Sequence, residues 1–276
     1  MFIDKLRRRW AERNTLLCVG LDPDITRFPQ AFLGKNDAIF AFNRAIIDAT
    51  ADLVCAFKPQ IAHYSAHGAE DQLVATIDYI RREHPEIGIV LDAKRGDIGS
   101  TAEMYAREAF DRYGADAVTV NPYMGFDAIE PFLARSDKGV VVLCRTSNPG
   151  ARTFQDLKVD GKALYLRVAE EAVSRWNQHG NVLLVVGATY PAELREVRAL
   201  AGDVPLLVLG VGAQGASATD AVANGQDSKG AGILISTSRA VLYASPGADF
   251  AAKARKTALA LRDEINRARK IQRVDG

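Results

Sequence analysis

Eight short runs rich in Val, Ile and Leu recur along the chain, separated by longer helix-patterned segments. The runs cover residues 15–21, 53–58, 87–93, 117–121, 139–144, 182–186, 205–209 and 232–236. They are continuously apolar rather than alternating, as strands covered on both faces are. Residues 38–49, 69–83, 101–113, 127–134, 162–178, 192–200 and 251–270 carry helical patterning. A weaker helix at 217–224 leads into a polar stretch ending at Gly230, and an amphipathic segment at 4–13 precedes the first run. Eight strands, each followed by a helical crossover, predict an α/β protein built as a single (β/α)8 TIM barrel with an extra N-terminal helix. On this reading residues 1–14 form the leading helix, 15–250 the barrel, and 251–276 a C-terminal helix and tail.

Length alone leaves the domain count open. A chain of 276 residues suits two domains of ~150 residues or one barrel of ~250. No stretch reads as a linker. The main rival architecture is a doubly wound open sheet, favoured by the G-x-G-x-x-G match at Gly210-Val211-Gly212-Ala213-Gln214-Gly215. A dinucleotide fingerprint should follow the first strand of its unit and be trailed by an acid about 20 residues on. This one follows the seventh run, and the residue at the acid's place is Ile235. The glycines fit better as a close approach of backbone to one phosphate.

Composition narrows the partners. With 35 Lys+Arg against 34 Asp+Glu the chain has no global attraction for nucleic acid or an anionic membrane, so an anion must be gripped locally. No apolar run approaches the ~20 residues of a membrane helix. Arg7, Arg8 and Arg9 resemble the start of a signal peptide, but the apolar stretch after them is short and runs into Asp22. Three cysteines, Cys18, Cys55 and Cys144, each sit in an apolar run and read as buried reduced thiols, which fits a cytoplasmic protein. The basic residues of the last helix, Arg262, Arg267 and Arg269 among them, read as a solvated face.

Charged residues gather at the ends of the runs. In Leu91-Asp92-Ala93-Lys94-Arg95-Gly96-Asp97, strand alternation puts Asp92 and Lys94 on one face, with Asp97 in the loop beyond. Two carboxylates flanking one ammonium hold it in the charged form, and such a cation can stabilise developing negative charge and then give up a proton. A solvent-facing ion pair is the plain alternative. Asp22 closes the first run and Lys58 the second, so three strands end in charge on the face where barrels carry their sites. A shared hydrogen-bonded network there suits a hydroxylated ligand such as ribose. After the fifth run comes the polar turn Arg145-Thr146-Ser147-Asn148-Pro149-Gly150; after the seventh, the glycine loop; after the eighth, Ser236-Thr237-Ser238-Arg239. Loops after strands seven and eight are the habitual phosphate site of this fold, and Arg239 offers paired donors. His63 and His67 stand four apart, but no catalytic Glu lies between them and no third ligand is evident, so no metal is assigned.

Taken as an ordered set, Asp92-x-Lys94-x-x-Asp97-Ile98 with Asp22, Lys58, Ser147-Asn148-Pro149-Gly150, Gly212-Ala213-Gln214-Gly215 and Arg239 resembles the orotidine 5′-phosphate decarboxylase family, in its longer bacterial (type 2) branch. The resemblance runs from about residue 15 to 245. It implies a homodimeric barrel that converts orotidine 5′-phosphate to UMP and CO2 with no metal or organic cofactor. It also implies roles. Lys94 is the proton donor to C6 and Asp92 sits beside the departing carboxylate. Asp97 and Thr101 are contributed across the dimer interface. Asp22 and Lys58 contact the ribose, Ser147 the pyrimidine, and Gln214 and Arg239 the phosphate, with Gly212 and Gly215 shaping the phosphate loop. Two positions depart from the family pattern: Leu209 stands where a proline is often found, and Ser238 where many relatives have glycine. Two rivals share parts of the set. A metal-dependent sugar-phosphate decarboxylase or aldolase can share Asp-x-Lys-x-x-Asp, but the Ser147 turn and Gln214 loop favour the nucleotide. A phosphate-binding sensor has no need of Lys94 between acids.

Overall fold

The computed structural model describes residues 1–211 and 215–274. All eight apolar runs are strands, and their parallel neighbours close into one barrel. In chain order the strands are β1 (Leu17–Leu21), β2 (Ala56–Pro59), β3 (Gly88–Arg95), β4 (Ala117–Val120), β5 (Gly139–Arg145), the short pair β6 (Lys158–Val159) and β7 (Lys162–Ala163), then β8 (Val182–Gly187), β9 (Leu206–Leu209) and β10 (Ile233–Thr237). Around the barrel the order is β1-β2-β3-β4-β5-β8-β9-β10, with β10 returning to β1. Nearly every residue of these eight strands is buried, because side chains fill the interior and helices cover the outside. That double burial is what writes a continuous apolar run.

The helices are α1 (Phe2–Glu12), α2 (Ala38–Thr50), α3 (Ala62–Ser65), α4 (Glu70–Glu83), α5 (Gly99–Arg107), α6 (Glu130–Leu133), α7 (Leu164–Glu171), α8 (Pro191–Ala201), α9 (Ala218–Gly225), α10 (Arg239–Leu242) and α11 (Phe250–Val274). Helix α1 lies across the N-terminal ends of the strands. Phe2 N–H donates to the Asp137 carbonyl, Lys5 pairs with Asp116 at 2.9 Å, and the buried Arg9 guanidinium donates to the carbonyls of Ala51 and Val54. The Phe2 ring occupies the space a side chain would need at Gly88 and Gly139, the first residues of β3 and β5; a Cβ on Gly88 would lie 2.9 Å from it.

Some sequence expectations change. The helix expected at 162–178 begins only at Leu164, because Lys162 and Ala163 pair antiparallel with Lys158 and Val159. Asp160 and Gly161 make the turn at φ 51° and 77°, the left-handed pair that a two-residue hairpin selects Asp-Gly for. The helices at 101–113 and 162–178 end in π-helical turns, Glu108–Arg112 and Ala172–Trp176. The expected helix at 127–134 is a 3-10 turn followed by α6. Arg269, expected on a solvated face, is buried and donates to the Gly230 carbonyl at 2.6 Å.

Candidate active site at the C-terminal mouth of the barrel

The centre of the mouth is a carboxylate between two ammonium groups. Asp92, on β3, is 3% exposed. Its Oδ2 lies 2.8 Å from Lys58 Nζ and its Oδ1 2.6 Å from Lys94 Nζ. Thr119, on β4, donates its hydroxyl to Asp92 Oδ1 at 2.9 Å and accepts the backbone N–H groups of Ala93 and Lys94, each at 2.9 Å. This single hydroxyl fills a gap in the ladder, since the β3–β4 register shifts between Leu91 and Arg95. The shift goes with Lys94 at φ 48°, a left-handed conformation that non-glycine residues rarely adopt and that concentrates at functional positions. Simple alternation is therefore broken at Lys94, yet its amine still reaches the carboxylate two residues back.

Burial alone would raise the Asp92 carboxyl, but the nearby Lys58 and Lys94 charges outweigh it and hold the group well below the usual carboxylate range. For Lys58, burial pulls downward and is overcome by Asp92 and Asp22, leaving the amine above its ordinary value. Within this chain Asp92 is the shared centre, and Lys94 pairs with it alone among the described residues. The Asp97 carboxylate instead accepts its neighbour Ile98 N–H at 2.8 Å, and Thr101 is exposed one turn into α5. Lys94, with its side chain 41% exposed, is not sealed from solvent by this chain.

Beside this network lies a cavity of about 180 Å³ lined by Asp22, Lys58, Ser147, Thr237, Ser238 and Arg239, together with Leu209, Gly210, Val211 and Ser236. Four residues expected at the site from sequence thus share one wall. Asp22 Oδ1, Thr237 Oγ1 and Ser238 Oγ are shielded from solvent and have no hydrogen-bond partner among the described residues. Arg239 is exposed at the start of α10. Gly215 follows the glycine loop at φ 86°; Gly212 and Gln214 lie outside the described residues. His63 Nδ1 lies 3.0 Å from the Pro23 carbonyl.

Close approaches set the walls. A Cβ on Gly187 would lie 2.7 Å from Ser147 Cα, and one on Gly20 2.8 Å from Ser238 Cβ, so bare strand ends let these polar turns lean over the barrel. Gly20 yields the room that the Ser238 side chain occupies, where many relatives have glycine. Leu209 continues β9, paired with Gly187. Tyr243 ties the α10 end to the first loop, its hydroxyl donating to the Asp22 carbonyl at 3.0 Å and accepting the Asp24 N–H at 2.6 Å. Thr119, Gly20, Gly187 and Tyr243 escape the sequence reading. Only Thr119 leaves a trace there, as the lone polar residue of β4.

The Orotidine 5′-phosphate decarboxylase / HUMPS family model matches residues 15–255. The chain belongs to this family. Among the relatives of the decarboxylase family, the orotidine 5′-phosphate decarboxylase of Janthinobacterium sp. (strain Marseille) is 58% identical over 266 residues, covering 96% of this chain and 98% of that protein. The one from Azoarcus sp. (strain BH72) is 59% identical over 265 residues, with the same coverage. The structure of Leishmania donovani OMP decarboxylase superposes with a TM-score of 0.84 at 40% identity, covering 97% of this chain and 98% of that one. Decarboxylase-family membership and the barrel therefore stand on the whole chain and not on one motif.

Proposed function

We propose that the chain decarboxylates orotidine 5′-phosphate to UMP and CO2, the final step of de novo pyrimidine nucleotide synthesis, without metal or organic cofactor. The observation that carries this reading is the buried Asp92 carboxylate held between Lys58 and Lys94, next to a cavity with Arg239 in its wall.

Loss of CO2 leaves an electron pair at C6 in the plane of the pyrimidine, where the ring π system cannot spread it. The Lys94 ammonium stabilises that pair and then passes a proton to C6, recovering one from solvent afterwards. A single charge ~4 Å away is worth roughly 4 kcal/mol at an effective dielectric near 20, well short of the ~8–23 kcal/mol that enzymes remove from barriers. The remainder is assigned to two sources. Asp92, Lys58 and Thr119 fix the charges in place, so little reorganisation accompanies the reaction. Binding of the distant phosphate by Arg239, with Gln214 and the Gly212–Gly215 loop, orders the site around the substrate. Asp92 stands beside the departing carboxylate, Asp22 and Lys58 hold the ribose, and Ser147 faces the base. Asp22 Oδ1, Thr237 Oγ1 and Ser238 Oγ support a hydroxyl- and phosphate-bearing ligand, since shielded polar atoms of this kind call for partners.

Asp97 and Thr101 are assigned to the site of a second copy. The Asp97 carboxylate makes no ion pair among the described residues and Thr101 is exposed, which supports that, as do large apolar residues exposed on their own connection and on the one after β4. Ile98, Met104, Tyr123, Met124 and Phe126 all face outward, Tyr123 at 85%, a patch of the kind that a partner covers. A cytosolic setting is supported by three free, buried cysteines. Burial raises the Cys18 and Cys144 thiols to about 12, leaving them unreactive. No described helix is long and apolar enough to cross a membrane.

The direct test follows orotidine 5′-phosphate consumption spectrophotometrically, with and without chelator. Turnover should persist in chelator and fall by about 100- to 1,000-fold in Lys94→Ala, in line with loss of a main electrostatic group; a Lys94→Ala enzyme with near-normal turnover rejects the lysine's role. Mixing inactive Lys94→Ala and Asp97→Ala subunits should restore activity through one intact composite site. Verified heterodimers that stay inactive would show that Asp97 serves its own chain.

A further inference from the structure

Arg145 ends β5 with a guanidinium that is fully buried, an arrangement tolerated only when every side of the cation is matched. Its Nε lies 2.8 Å from Asp156 Oδ1, Nη2 donates to Asp156 Oδ2 at 3.2 Å, and Nη1 donates to the Thr146 carbonyl at 2.6 Å. The guanidinium carbon sits 4.2 Å from the centre of the Tyr190 ring, on the connection after β8. None of these contacts belongs to the barrel wall. They gather the two ends of the loop that follows β5, with Thr146 at one end and Asp156 at the other.

The same loop closes on Thr146 a second time. Gln155 Oε1 accepts the Thr146 N–H at 2.8 Å, and Gln155 Nε2 donates to the Thr146 hydroxyl at 3.0 Å. Ser147 comes next in the chain, its backbone against Gly187 and its carbonyl accepting from the Thr189 hydroxyl at 3.3 Å. The position of Ser147 in the cavity wall therefore depends on Thr146, and Thr146 depends on a loop pinned by an ion pair between the buried Arg145 and the half-buried Asp156.

We infer that Arg145 is a positioning residue for the pyrimidine-facing turn: by gripping Asp156 it latches the loop after β5 and so presents Ser147 to the base. The inference rests on Ser147 having the base-facing role proposed above. Asp156→Asn keeps the shape of the pair and removes its charge, and serves even where Arg145→Met fails to fold. Trypsin cleavage at the exposed Arg152 and Lys158 should accelerate by about tenfold in Asp156→Asn, as local opening becomes easier, and stay unchanged in Ser147→Ala. The kcat/KM for orotidine 5′-phosphate should fall by about 10- to 100-fold in Asp156→Asn, the scale of a small misplacement at a reacting site. In a Ser147→Ala background the same substitution should cost less than about threefold, because coupled residues are non-additive. Equal losses in the two backgrounds, or unchanged cleavage, would overturn the latch. A wild-type enzyme without decarboxylation would instead reject the function, while the cleavage rates still decide the latch.

Discussion

The two halves of the mouth are built on opposite plans. At β2–β4, Lys58, Asp92, Lys94 and Thr119 satisfy one another inside the chain, with bonds of 2.6–2.9 Å and almost no exposure for Lys58 and Asp92. At β10, Thr237 and Ser238 hold shielded hydroxyls without partners among the described residues, and Arg239 is exposed. The first half is set before any ligand arrives, so its charges act without rearranging. The second half keeps its donors for something else. A site that must stabilise a transient charge benefits from rigidity where the charge forms and from free valence where the substrate is held.

Substitutions at three positions would break or sharpen that contrast, the strongest first. Asp92→Ala strips the partner from a buried ammonium and should cost about 3–5 kcal/mol of stability, a fall of roughly 10 °C in Tm read by calorimetry. The pH dependence has a definite sign. Asp92 is held below its unfolded value, so its contribution is present above about pH 4 and lost as pH falls further; Lys58 is raised, so its contribution is present below about pH 10 and lost at higher pH. The Tm difference between wild type and Asp92→Asn should therefore be widest between those limits and shrink outside them. Arg239→Ala removes an exposed donor to an anion. It should weaken UMP binding by about 10- to 150-fold, the worth of a charged hydrogen bond at 1.5–3 kcal/mol, with uridine binding and Tm unchanged by calorimetry. A large Tm loss there would mean that this half is also internally committed. Thr119→Val leaves two backbone N–H groups without their partner and Asp92 Oδ1 with Lys94 alone, and should cost about 1–3 kcal/mol, read by denaturant unfolding.

What the sequence disclosed follows the same division. All eight strands were readable because burial on both faces leaves an apolar run for each. The hairpin at Lys158–Ala163 is signalled only by Asp160-Gly161, because the helical pattern of the segment after it runs on through Lys162 and Ala163. The π-helical turns leave no mark on periodicity. At the site, charged strand ends were visible in Asp22, Lys58, Asp92 and Lys94, but their pairing was not. Which acid serves which lysine depends on the β2–β3–β4 register, and the slip at Lys94 depends on a hydroxyl from another strand. Ser147 and Ser238 were legible as polar turns; the space that Gly187 and Gly20 leave for them belongs to neighbouring strands and has no local signature. Gln214 and Gly212, the other phosphate-loop candidates, lie outside the described residues.

Helix α1, with Phe2 set against Gly88 and Gly139 and Arg9 capping the carbonyls of Ala51 and Val54, stoppers the N-terminal end of the barrel beneath β3 and β5. With that end covered and side chains filling the interior, the proposed substrate and products share the open C-terminal mouth.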